Sequence, residues 1–191
     1  MEGRWRATSD RWCSRPSSRH CRNARGSRRQ YARLEEKGSS ADRLGPEEAA
    51  FIAERDSFYM ASVGSTGWPY VQHRGGPAGF LKVIDEETIA LRRLRAATSS
   101  TISVGNLTTD DRVALILVDY PQQARLKILG RARTLEGEQA KDWLDRVRDP
   151  GTEAAIERVV VIHVEAFDWN CQQHITPRFT VAEIEEATKL S

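Results

Sequence analysis

The sequence of 191 residues predicts a mainly β domain whose antiparallel sheet closes into a barrel. Three observations carry this. Segments rich in β-branched and aromatic residues follow one another too closely for the helical crossovers of a parallel sheet. "RVALILVDYP" (112–121) is a continuous apolar run of strand length, as in a strand buried on both faces. "ARLKILGRARTLEG" (124–137) alternates, with Arg125, Lys127, Arg131 and Arg133 on one face and Leu126, Ile128 and Ala132 on the other.

Residues 1–26 have neither helical nor strand periodicity and are rich in Arg and Ser, so a disordered basic tail is expected. A nucleic-acid or membrane-surface arm and a mis-called start are alternatives, and Glu2 and Asp10 count against a transit peptide. The domain is expected over 27–185, with a short tail at 186–191. Ser27 offers an N-cap to "SRRQYARLEEKG", and Gly38 ends that helix. "GPEEAAFIAER" (45–55) repeats the pattern, with Pro46 at the first helical position and acids in the first turn.

"SFYMASV" (57–63) then reads as a strand, "GSTGWP" as a turn, and "PYVQHRGG" (69–76) as the next strand. "GFLKVIDEETIAL" (79–91) reads as a hairpin around Asp85–Glu87, and "TISVGNLTTDD" (101–111) as a short helix. After the two strands quoted above, "GEQAKDWLDRVRDPG" is an amphipathic helix stopped by Pro150 and Gly151. "ERVVVIHVEAFDW" (157–169) is the last strand.

Charge and motifs exclude several functions. Residues 1–45 carry 12 basic against 5 acidic side chains, and the remainder 17 against 22. The folded part is therefore mildly acidic, which argues against a nucleic-acid-binding domain. No run is long enough for a membrane span, and no apolar stretch follows the basic N-terminus as in a secretory signal. Three cysteines (Cys13, Cys21, Cys171) make no disulfide framework, so a cytoplasmic protein is expected. Dinucleotide-fold, P-loop and hydrolase-elbow signatures are absent.

The basic stripe on 124–133 has two readings: charges turned to water from a strand that fills a core, or contacts to an anionic ligand by Arg125 and Lys127. Gln72, His73 and Arg74 run into two glycines, where a backbone can approach a ligand closely. Lys82 sits mid-strand among apolar residues, either snorkelling or serving a ligand. The hydroxyls of "TSSTIS" at a helix start suit a phosphate. "WNCQQHITPRF" (169–179) suggests zinc or Cys–His catalysis, with His163, Cys171 and His174 as the metal set. Three candidate ligands on different elements make a poor site, and Cys171 has only His174 nearby to lower its pKa, so packing is its simpler role.

The strings "FIAERDSFYMASV", "GWPYVQHRGGPAGFLKVIDEETIAL", "ISVGNL", "DDRVALILVDYP", "RLKILGRAR" and "VEAFDWNCQQHITPRF" resemble the pyridoxamine 5′-phosphate oxidase-related FMN-binding split-barrel proteins. The resemblance spans about residues 27–185. It implies a six-stranded antiparallel split β-barrel, with a few short flanking helices, that forms a homodimer with FMN at the interface. By that resemblance Lys82, Thr101, Ser103 and Asn106 serve the flavin phosphate. Arg125 and Lys127 reach the isoalloxazine edge, and Gln72, His73 and Arg74 line the ring. Trp169, His174 and Arg178 border the pocket, which makes "WNCQQHITPRF" the rim of a cofactor site.

No catalytic residue is evident, His73 being the best acid–base candidate. The Arg-rich closing motif of the vitamin oxidase is missing. The expected function is a flavin-dependent oxidoreductase on an unknown small molecule, with NAD(P)H as a candidate donor, no nucleic acid and no membrane partner. The alternative is a flavin-binding, sensing or vestigial protein without turnover. One departure bears on this: where the group usually reads like D-F-R-G-N-x-Q-Y-I-S, residues 92–103 read "RRLRAATSSTIS". Leu94, Arg95, Ala96 and Ala97 replace the expected motif, and Arg92, Arg93 and Arg95 would restore only its charge. A compensated frameshift through 92–101 would give this local break, and resequencing the DNA tests it.

Overall fold

A computed structural model describes residues 43–94, 101–148, 156–169 and 174–189. The expected tail 1–26, the expected helix 27–38, Arg95, Ala96, Ala97 and the three cysteines lie outside them. Helix α1 (Pro46–Ala53) leads into β1 (Ser57–Val63), β2 (Pro69–Gly75), β3 (Leu81–Asp85) and β4 (Thr88–Leu94). Helix α2 (Thr101–Leu107), β5 (Arg112–Asp119) and β6 (Ala124–Glu136) follow. A 3-10 turn (Gly137–Ala140), α3 (Lys141–Val147), β7 (Ile156–Trp169) and α4 (Val181–Lys189) complete the order.

One sheet holds seven strands in the order β2-β1-β5-β6-β7-β4-β3, all neighbours antiparallel. The resemblance implied six strands. The expected hairpin at 79–91 contributes two, of which β3 is a short edge strand of five residues. The chemistry of its turn is local: Asp85 Oδ1 accepts the Glu87 N–H at 2.9 Å.

Alternation decides which face each side chain takes. The inner face packs Phe58 and Met60 from β1, Leu115 and Leu117 from β5, Leu126 and Ile128 from β6, and Ile162 and Phe167 from β7. On the opposite face α3 covers a smaller cluster, Ala90, Leu135, Val147, Val159 and Val161. β7 is therefore buried on both sides over 159–162, which is why "VVVI" has no polar alternation.

β6 and β7 form the longest ladder, and it is broken once. Leu129 pairs with Ala166 and Gly130 with Val164, so Glu165 is an extra residue on β7. The bulge resets parity: Val164 faces inward before it, and Phe167 faces inward after it. Gly130 is required at this crossing, because a Cβ there would sit 2.4 Å from the His163 carbonyl oxygen. A helix over 181–189 is not expected from the sequence. Its signal is present, since "TVAE" is a capping box in which Glu183 Oε2 accepts the Thr180 N–H at 2.6 Å and Thr180 Oγ1 accepts the Glu183 N–H at 3.3 Å.

Gly130→Ala is expected to cost about 1–3 kcal/mol, because backbone atoms cannot yield to the added methyl. Urea unfolding checks this, and an unchanged midpoint contradicts it. The start of β5 carries a pH signature. Arg112 donates to Asp110 and holds its carboxyl down from an ordinary 3.8 to about 2. A depressed carboxyl stabilises the fold above its unfolded value and loses that contribution as pH falls through its folded value. The thermal midpoint of Asp110→Asn should therefore fall less than that of the parent between pH 4 and pH 2, and parallel profiles contradict the linkage.

Candidate functional site

The expected site residues sort into groups that the pleat separates. Residues Gln72, His73 and Arg74 are consecutive on β2, so they cannot share a face. Gln72 pairs with Met60 and Arg74 with Phe58, on the inward side, while His73 pairs with Tyr59 on the outward side.

On the inward side, the Ser103 hydroxyl of α2 donates to Gln72 Oε1 at 2.8 Å. Asn106 Nδ2 donates to the Ser62 hydroxyl at 3.0 Å. These bonds fasten α2 to β1 and β2. Lys82 lies elsewhere: its pairing with Ala90 puts it on the outer face, beside the cluster under α3.

The outward face of the other half of the sheet carries the second group. Register places His73, Tyr59, Ile116, Lys127 and Asp168 in one row across β2, β1, β5, β6 and β7. Beside it runs a wholly apolar row of Val71, Ala61, Ala114, Leu129 and Ala166. The face is open toward β2 and β1, where Tyr59 is 44% and Val71 61% exposed, while Ala166 and Asp168 at the β7 end are buried. The Tyr59 and His73 rings meet edge to face at 5.4 Å.

At the other end of the row, Lys127 Nζ lies 3.3 Å from Asp168 Oδ2. Asp168 is buried, and its Oδ1 has no hydrogen-bond partner. The Nε of Arg125, two residues before Lys127, is likewise buried without a hydrogen-bond acceptor. A buried donor and a buried acceptor left open on neighbouring strands fit a ligand that offers both. Tyr59 and Asp168 were not singled out from sequence. The bulge that brings Asp168 to the face of Lys127 depends on the partner strand and leaves no signal in the sequence.

The third group closes one barrel end. Trp169 Nε1 donates to the buried Glu48 Oε1 at 2.8 Å, and Glu48 Oε2 accepts the Gly45 N–H at 2.8 Å. Phe51 stands edge-on to Trp169 with centroids 4.7 Å apart. Arg55 covers the Phe51 ring and pairs with Asp119 at 2.6 Å, both largely buried. Arg178 lies over the Tyr120 ring at 5.0 Å, and Gln123 Nε2 donates to the Ile175 carbonyl. His174 is exposed with a positive φ of 69°. Trp169 is thus fixed by the fold, while His174 and Arg178 belong to a segment laid against the β5–β6 turn. Among the described residues no cluster of three or more His, Cys, Asp or Glu could hold a metal, and Cys171 lies outside them.

The sequence profile described as pyridoxamine 5′-phosphate oxidase matches residues 44–172, more than half of the chain. The chain belongs to that family. A Lactobacillus delbrueckii structure classed with these oxidases superposes with a TM-score of 0.53 at 22% identity, over 67% of this chain and 95% of its own. HupZ of Group A Streptococcus gives 0.50 at 18% identity, over 71% of this chain and 99% of its own. At such identities the likeness is one of fold, and the shared fold is the split barrel. No curated protein sequence matches the chain. The profile covers every strand, so the outer row and the α2 latch both lie in the family's core region. No helix among the described residues is long and apolar enough to cross a membrane.

Glu48→Ala would orphan the Trp169 indole N–H and the Gly45 N–H together, at a cost of about 2–4 kcal/mol. Thermal unfolding checks this. A loss smaller than about 0.5 kcal/mol would mean that water replaces the carboxylate without penalty.

Proposed function

We propose that this chain is an FMN-binding flavoprotein acting as an oxidoreductase on a small molecule, and that it works as a homodimer with the cofactor between copies. The observation that carries this reading is the partly open outer face, exposed at its β2–β1 end. An apolar row of five small and aliphatic side chains offers a floor for a flat ring system. Its neighbouring row ends in the open Asp168 acceptor, and Arg125, one row further along the same face of β6, brings an open donor, a set that suits the alternating carbonyls and N–H of a flavin edge. A face this apolar also suits a second copy of the chain.

A bound FMN would supply the hydride or electron transfer, and the protein would supply orientation and electrostatics. Lys127, steadied by Asp168, would hold positive charge at the ring edge. Gln72 and Arg74 with the α2 start, Thr101, Ser103 and Asn106, would serve the phosphate, while Lys82, on the outer face beside α3, does not join them within one chain. His73, edge to face with Tyr59, is the nearest candidate for moving a proton at its imidazole. Trp169, His174 and Arg178 would border the pocket from the barrel end. NAD(P)H is the donor class to test, and the cytoplasm is the proposed compartment.

A second reading is a flavin-binding, sensing or vestigial protein without turnover. The departure at 92–101 favours it, because the expected phosphate-cradle motif is replaced there.

The deciding experiment is the absorbance spectrum and mass of the ligand released from freshly purified protein. FMN is expected, and protein that neither carries nor takes up flavin overturns the proposal. Replacing Lys127 or Arg125 by Ala should weaken flavin binding roughly 10–100-fold, the range for losing a charged hydrogen bond. NAD(P)H consumption with added acceptors then separates the enzyme from the silent binder.

A further inference from the structure

A cleft of about 460 Å³ lies between α3 and the outer face of β4, β7 and β6. This is within the range of small-molecule pockets, roughly 300–1,000 Å³. It shares no residue with the cofactor set above. Its floor follows from register: Thr88 pairs with His163, and His163 with Arg131. One step along, Val161 pairs with Arg133. Trp143 and Arg146 of α3 form the opposite wall.

The charges in the cleft are not all occupied. Arg131 is engaged by Asp111 at 2.8 Å and by Glu165 at 2.5 Å. Asp85, the other acid in the lining, accepts the Glu87 N–H but keeps its charge, so the three arginines outweigh the two aspartates of the lining by one positive charge. Arg133 and Arg146 have no carboxylate within ion-pair distance among the described residues. Arg146 instead lies over the Trp143 ring at 4.9 Å, which holds its guanidinium at the mouth of the cleft. Two guanidiniums, an imidazole and the Thr88 hydroxyl thus converge on one space, with Trp143, Ala132 and Val161 supplying apolar wall.

We propose that this cleft binds a small molecule through a phosphate or carboxylate group held by Arg133 and Arg146. Guanidinium forks bind both oxyanions in bidentate fashion, and the aromatic wall accommodates the ligand's apolar part. The site gives a use to His163, which the sequence raises only as a metal ligand. Its lining takes none of the residues assigned to the cofactor, although Arg131 and His163 follow the Leu129–Ala166 row on the same face, and its ligand is proposed as a second molecule beside any cofactor.

The test titrates the full chain with inorganic pyrophosphate and, separately, with citrate. Heat release and tryptophan fluorescence are followed, with Trp143→Phe as the optical control. Saturable binding of at least one probe is expected, together with a fluorescence change lost in Trp143→Phe. The Arg133→Ala/Arg146→Ala variant should bind at least tenfold more weakly with its flavin content unchanged. Both side chains are exposed, and should the double variant unfold, Arg133→Ala alone gives the same comparison. Absence of saturable binding overturns the proposal. So does binding that survives the double substitution, since Arg133 and Arg146 would then not hold the probe. Parent protein that takes up no flavin yet binds the probe in this arginine-dependent way would count against the proposed function and leave the cleft assignment standing.

Discussion

The pairing of β6 with β7, and the single extra residue within it, is the constraint on which the rest of the structure depends. These are the two longest strands, and between them they contribute to both hydrophobic clusters. Without the extra Glu165, every side chain from Ala166 onward would exchange faces. Phe167 would leave the core, Trp169 could not reach Glu48, and Asp168 would be buried inside the barrel away from Lys127. One inserted residue therefore anchors the barrel end and completes the outer row at once. Gly130 makes this crossing geometrically possible, because any side chain there would collide with the β7 backbone.

The same alternation explains why the site residues do not meet in one place within one chain. A strand that fills a barrel core with one face presents its other face to whatever lies outside. His73 and Lys127 end up at opposite ends of an outer row, while Gln72 and Ser103 form a latch on the inner side. A ligand that touches both groups must lie where two faces come together, and a second copy of the chain would create such a place. The cleft under α3 is different in kind, since one chain supplies both of its walls.

Much of the fold was legible because it rests on local pattern. The alternation of "ARLKILGRAR", the apolar run before Asp119 and the Pro46 helix start each reflect chemistry within a few residues of sequence. The parity of β7 was not legible, because a bulge depends on its partner strand and on the space at Gly130. The buried Glu48 was hidden for a similar reason: acids in a first turn ordinarily face water, and only the fold brings Trp169 to this one. Three consecutive residues on β2 were grouped as ring-lining by resemblance, and the pleat itself shows that the middle one must face the other way. The helix at 181–189 could have been found from its capping box alone.

The central claim is that the outer face of β2, β1, β5, β6 and β7 holds a flavin between two copies of this chain. Sedimentation velocity of the purified protein, followed in the protein and flavin absorbance bands together, tests it most directly. The account predicts that flavin absorbance travels with a dimer and is absent from any monomer boundary. Flavin sedimenting with a monomer, or a dimer that excludes added flavin, would contradict it.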